Sequence, residues 1–60
     1  MYLINFEFYN KRSYEKEVIR NVEIIPDKDD KILFEGRWYK VDSREFNLNT
    51  GKITKIICKN

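Results

Sequence analysis

The sequence predicts an all-β domain, a small five-stranded barrel of the SH3-like kind, and three observations carry that expectation. Apolar residues recur with a period of two rather than 3.6 along most of the chain. Turn signals separate short apolar runs, with Glu35-Gly36 and Asn49-Thr50-Gly51 the clearest. The large residues are β-branched or aromatic: eight Ile, four Phe, four Tyr and one Trp, with no Ala.

The first element is residues 2–9. Tyr2, Ile4, Phe6 and Phe8 alternate with Leu3, Asn5, Glu7 and Tyr9, which reads as a strand with one aromatic-rich buried face. The polar run Asn10 to Lys16 is expected to be a loop. Residues 17–25 (EVIRNVEII) are ambiguous. Val18, Val22 and Ile25 fit a helical stripe with Ser13 as its cap, so an α+β alternative places one helix near residues 13–22 on an antiparallel sheet. Five of these nine residues are β-branched, however, and that favours a strand with Val18, Val22 and Ile24 on one face. Pro26 ends the segment in either case, because it lacks an amide donor and restricts Ile25 to extended geometry. Asp27 to Lys31 (DKDDK) reads as a solvated turn; it lacks the alternating ligands, the glycine and the distal Glu of an EF-hand calcium loop.

Glu35-Gly36 fits a two-residue hairpin, since glycine accepts the positive φ such turns demand. That turn sets a register: Phe34 faces Arg37, Leu33 faces Trp38, and Ile32 faces Tyr39. Ile32, Phe34, Tyr39 and Val41 then point inward, while Leu33 and Trp38 point outward beside Lys31 and Lys40. The pleat changes phase between Asp42 and Glu45, because Tyr39 and Val41 are odd-numbered while Phe46 and Leu48 are even-numbered; a β-bulge accounts for it. A second hairpin at 49–52, pairing Leu48 with Ile53, would keep Phe46, Leu48, Ile53 and Ile57 on one face, with the last strand ending near Cys58. An open five-stranded sheet exposes two edges, and curling it into a closed or half-closed barrel removes most of that exposure.

The stretch Pro26 to Val41, PDKDDKILFEGRWYKV, followed by Phe46 and Leu48, resembles a pattern in small bacteriophage and prophage proteins. That pattern is a Pro, an acidic turn, a short apolar strand, a Gly turn and then Tyr-x-Val, and the similarity spans about residues 22–57. The resemblance implies a compact SH3-like β-barrel of unassigned function. One departure is Asp29, where the pattern often has glycine.

Length and composition bound the rest. Sixty residues make one domain, 1–60, and a domain of this size buries only about 60% of the surface its unfolded chain exposes. Cys58 is the single cysteine and there is no histidine, so an intramolecular disulfide is impossible and zinc lacks its preferred ligands. No cofactor is expected. The lone thiol suits a reducing compartment, which points to the cytoplasm. No run approaches the ~18 consecutive apolar residues of a membrane span, and no signal-peptide pattern is present. Charge is uneven: residues 1–30 hold five basic and seven acidic side chains, residues 31–60 seven basic and three acidic. A basic half invites an anionic partner, although scattered solvent-facing lysines also explain it.

Four functions compete. The favoured one is a small protein-interaction module, an inhibitor or adaptor of phage or mobile-element origin, binding a host or phage protein through an outward patch of Leu33, Arg37, Trp38, Lys40 and Arg44. Trp and Arg dominate binding energy at interfaces, which is why those residues are chosen. The competing account of Trp38 packs it under the 10–16 loop. The second function is single-stranded nucleic-acid binding, with Tyr9, Tyr14, Trp38, Arg12, Arg37 and Arg44 as stacking and phosphate groups. The third is catalysis by Glu15 and Glu17 or by Asp29 and Asp30. Those carboxylates fall in polar segments without the water-restricted pocket that acid–base work needs, so the chain is read as not an enzyme. The fourth is homo-oligomer assembly through an exposed edge strand, expected at residues 2–9 or 52–58.

Overall fold

The computed structural model describes all 60 residues, Met1–Asn60. Five strands follow one another: β1 (Tyr2–Asn10), β2 (Ser13–Val22), β3 (Lys31–Phe34), β4 (Arg37–Asn47) and β5 (Lys52–Lys59). They form one sheet in the order β2-β1-β5-β4-β3. The fold is all-β, and the helix considered near residues 13–22 is a strand instead. β-branching outweighs the weak helical stripe once β1 offers a hydrogen-bonding partner along its whole length.

Two antiparallel units, the β1–β2 hairpin and the β3–β4–β5 meander, meet at a parallel pairing of β1 with β5. No local turn announces that parallel pair; only the crossing of residues 23–30 from one sheet edge to the other produces it. The sheet curls around a core of Ile4, Phe6, Phe8, Tyr39, Val41, Ile56 and Cys58. Val18, Val22, Ile25, Ile32, Phe34 and Ile53 pack around that core. Each fully buried large side chain contributes roughly 1.5–3 kcal/mol. The curl brings the two edges together without pairing their backbones, so the barrel is half-closed. Side chains span the gap: the Phe8 and Phe34 rings stack with centroids 4.6 Å apart, Lys16 pairs with Glu35, and Glu15 takes both Arg37 at 3.2 Å and the Tyr39 hydroxyl at 2.9 Å.

Several expectations change in the structure. Residues 10–16 are not a loop: Lys11 and Arg12 alone make the turn, both at positive φ, and β2 starts at Ser13. Ile24 does not join Val18 and Val22. It is solvent-exposed, and Ile25 packs inward in its place, because the chain has left the sheet by residue 23. The β3–β4 register matches the expected pairs: Phe34 with Arg37, Leu33 with Trp38, Ile32 with Tyr39. The phase change in β4 lies between Val41 and Ser43, at the start of the expected stretch Asp42 to Glu45, and a second irregularity, not expected, lies between Glu45 and Phe46.

The last hairpin differs most. Ile53 pairs with Phe46, not Leu48, and Leu48 is 86% exposed in the turn. Asn47 organises that turn, since its side chain accepts from the Asn49 amide and its carbonyl accepts from the Gly51 amide. Four residues are then needed before β5 begins. Beyond the irregularity, Ile56 and Cys58 face inward in place of Ile57. The sheet edges are β2 and β3, whereas residues 2–9 and 52–58 are central strands. Pairing β1 with β5 moves both inside.

The acidic turn has a structural role. Asp27 accepts from the Lys28 amide through its side chain, and Asp30 accepts from the Asp27 amide. The Asp29 amide and the Asp30 carbonyl both bond to Val41, at 2.9 Å each. Asp29 adopts φ 73°, the conformation a glycine takes readily and an aspartate tolerates. The chain contains no helix long and apolar enough to cross a membrane.

Candidate functional site

Strand alternation and the registers assign each candidate residue to a face. Leu33, Trp38 and Lys40 lie on the outer face, in the positions the hairpin turn sets. Trp38 is 59% exposed and does not pack beneath the first hairpin. Arg37 and Arg44 lie elsewhere. Arg37 pairs across from the inward Phe34 and is tied to Glu15 at the barrel mouth. The bulge at Asp42 turns Arg44 to the side of Ile56, where it pairs with Asp27 at 3.2 Å. The five-residue patch read from the sequence therefore divides: three of its members share the outer face, and the two arginines brace the inner side.

What joins the three is a row visible only in the assembled sheet. Lys31 stands opposite Lys40, and Lys40 stands opposite Lys59. Tyr9 pairs with Lys59 on the other flank of β5, and Tyr14 pairs with Tyr9. One line across the outer surface thus reads Lys31, Lys40, Lys59, Tyr9, Tyr14, running over all five strands. Adjacent strands are ~4.8 Å apart, so the line extends for about 19 Å. Trp38 lies one pleat from Lys40 along β4, with Leu33 beside it. Lys31, Trp38, Lys40 and Lys59, with Tyr39 and Asn60, line an open depression of about 570 Å³. Asn60 fixes one wall, since its side chain donates to the Trp38 carbonyl at 2.8 Å and its amide to the Tyr9 carbonyl at 2.9 Å.

The electrostatics of this row are unusual for a sheet. Like charges directly opposite one another destabilise cross-strand pairs. Lys31 and Lys40 face each other, and neither belongs to any of the six ion pairs. Lys59 is shared with Asp42 at 3.3 Å. In the adjoining row the carboxylates have internal partners: Glu7 takes Lys55 at 2.9 Å, and Glu17 accepts from Asn5 at 3.1 Å. The Glu7 contact raises the Lys55 pKa by hydrogen bonding and charge. Tyr9 is also raised, by desolvation first and then by Glu7, so its phenol is neutral at physiological pH. Its ring meets Tyr14 edge-to-face at 5.7 Å.

The other chemically active groups are placed as structure. Glu15 lies at the barrel mouth, bound to Arg37 and Tyr39, and Asp29 and Asp30 anchor the crossing. Cys58 is fully buried, and desolvation pushes its thiol up to about 11. A thiol held protonated among apolar side chains is a poor nucleophile. Arg12 lies beside Tyr9 and Lys59 in a polar recess on the outer side.

Sequence reasoning set Lys31 and Lys40 beside Trp38 and, in its nucleic-acid reading, grouped Trp38 with Tyr9 and Tyr14, but it did not include Lys59 or align these residues in one row. The available signal was the shared outward parity of Tyr9 and Lys59; the parallel register that makes them neighbours had no local cue. No family model matches the chain, and no match was found among curated proteins or solved structures.

Proposed function

We propose that this chain is a small interaction module that works by binding rather than catalysis, and that it engages an anionic macromolecular partner through the outer aromatic–basic face of β3, β4 and β5. The observation that carries this reading is the cross-strand row Lys31, Lys40, Lys59 beside the exposed Trp38. Lys31 and Lys40, opposite each other without a counter-charge, weaken the isolated fold, and an anionic partner offsets that repulsion. An indole next to them supplies apolar contact area of the kind that dominates binding energy. The pocket on the inner face, lined by Phe6, Phe8, Val18, Arg20, Ile32 and Phe34, is only about 110 Å³, which favours a surface function over an enclosed site. The resemblance to phage and prophage proteins suggests the setting, a cytoplasmic adaptor or inhibitor encoded by a phage or mobile element.

Heparin, a generic polyanion, tests the face. The double variant Lys31→Glu/Lys40→Glu should elute from a heparin column at clearly lower salt than Lys28→Glu/Lys52→Glu, which carries the same net charge. Coincident elution would remove this face as the binding surface.

A further inference from the structure

We infer that the anion recognised by this face is a single-stranded nucleic acid, laid along the row from Tyr14 to Lys31 with its phosphates on the three lysines and its bases on Tyr14 and Trp38. The inference rests on the reading of the outer face given above and names its partner. Its ground is the order of groups in the row. Stacking surfaces stand at or beside both ends, Tyr14 at one and Trp38 next to Lys40 at the other, both exposed. Cationic groups occupy three consecutive strands between and beside them. Nonspecific single-strand binders combine these two elements, a basic track for the backbone and aromatic faces for the bases.

The flanking groups define the track. Glu7 and Glu17 lie one row away, with partners in Lys55 and Asn5, and they confine a polyanion to a single line. Asp42 competes for Lys59, and a phosphate would displace it from that lysine. A duplex fits poorly, because its bases are already stacked and cannot reach Tyr14 or Trp38. Of the three arginines the sequence offered as phosphate ligands, Arg37 and Arg44 are held by Glu15 and Asp27 on the inner side and take no part, whereas Arg12 lies on the outer side beside Tyr9 and Lys59. Lysine binds phosphate as a point charge, without bidentate geometry, which suits sequence-tolerant binding.

The probes are fluorescein-labelled (dT)10 and (rU)10, a 10-base-pair duplex and poly-L-glutamate, each titrated at several salt concentrations. Trp38 is the only tryptophan, so its emission reports directly on the face. The expected result is single-strand binding with Trp38 quenching. Three neutralised phosphates predict a log–log salt slope of about −2, since each contributes about 0.7 on a single strand. Lys40→Ala should shallow that slope by about 0.7. Trp38→Ala and Tyr14→Ala, followed by anisotropy, should each weaken binding about tenfold with the slope unchanged, and Trp38→Phe should recover most of the loss. Poly-L-glutamate binding at the same face without oligonucleotide binding would overturn the nucleic-acid inference and leave the anionic-face reading standing. Binding of neither polyanion would overturn both. Duplex binding equal to single-strand binding, with Trp38 unquenched, would overturn the stacking geometry.

Discussion

The two tight hairpins of this barrel have nearly the same backbone and very different sequences. Glu35 and Gly36 turn β3 into β4 at φ 49° and 77°; Lys11 and Arg12 turn β1 into β2 at φ 49° and 71°. Both have the signature of turns whose twist matches the strands they join. Only one carries a residue suited to it. The glycine-containing turn makes a hairpin whose outer face is exposed and whose inner face adds Ile32, Phe34, Tyr39 and Val41 to the core. The Lys11-Arg12 turn is less favourable, yet it joins the strand that buries Ile4, Phe6 and Phe8 to a ten-residue partner. Long pairing and core burial impose the turn from outside, so turn chemistry and turn geometry need not agree.

Variants can break this comparison, beginning where the hairpins touch. Phe8 stacks on Phe34 and meets Tyr39 edge-on at 4.7 Å, so it holds both hairpins at once. Phe8→Ala should cost about 3–5 kcal/mol. A domain of this size has roughly 3–9 kcal/mol in total. Circular dichroism of this variant should therefore show a melt at markedly lower temperature and denaturant concentration than the parent; a cooperative melt near that of the parent would mean the half-barrel is held by something else.

Alkaline titration probes the same core. The Cys58 thiol ionises near 9.0 in the unfolded chain and near 11 in the folded one. The folded state therefore keeps a proton that the unfolded state loses, and stability falls as pH rises from about 9 to about 11. The shift corresponds to roughly 2–3 kcal/mol. Tyr39, raised by burial and then by Glu15, acts in the same direction. Denaturant melts of Cys58→Val should show a smaller loss between pH 8 and 11 than the parent; an unchanged loss would assign the alkaline effect to the tyrosines and lysines.

Smaller effects separate the two turns. A Cβ at Gly36 meets no atom within 4 Å, so only backbone strain opposes Gly36→Ala. The expected cost is about 1–2 kcal/mol. Arg12→Gly should act in the opposite sense, relieving strain but adding freedom to the unfolded chain, for a net gain of at most about 1 kcal/mol. A gain at Gly36 or a marked loss at Arg12 in chemical melts would reverse the comparison. At the bottom of the scale, Trp38→Ala should change stability by no more than about 0.5 kcal/mol. That near-neutrality makes it a clean probe of binding.

Some of this was legible in the residues themselves. The period-two pattern fixed the all-β class, the even face of β1, and the burial of Tyr39 and Val41. Glycine at position 36 fixed the β3–β4 register, and the change of parity between Val41 and Phe46 located the bulge. Those features depend on neighbours in sequence: pleat alternation and the conformations a short turn allows. The assembled sheet alone decided that β1 and β5 lie parallel at its centre, that Ile56 and Cys58 face inward while Leu48 does not, that Arg37 and Arg44 turn away from Trp38, and that three lysines and two tyrosines share one row. Each of those depends on pairing between strands distant in sequence, where a bulge of one residue reverses every side chain beyond it, and local propensity carries no information about which register closes the core.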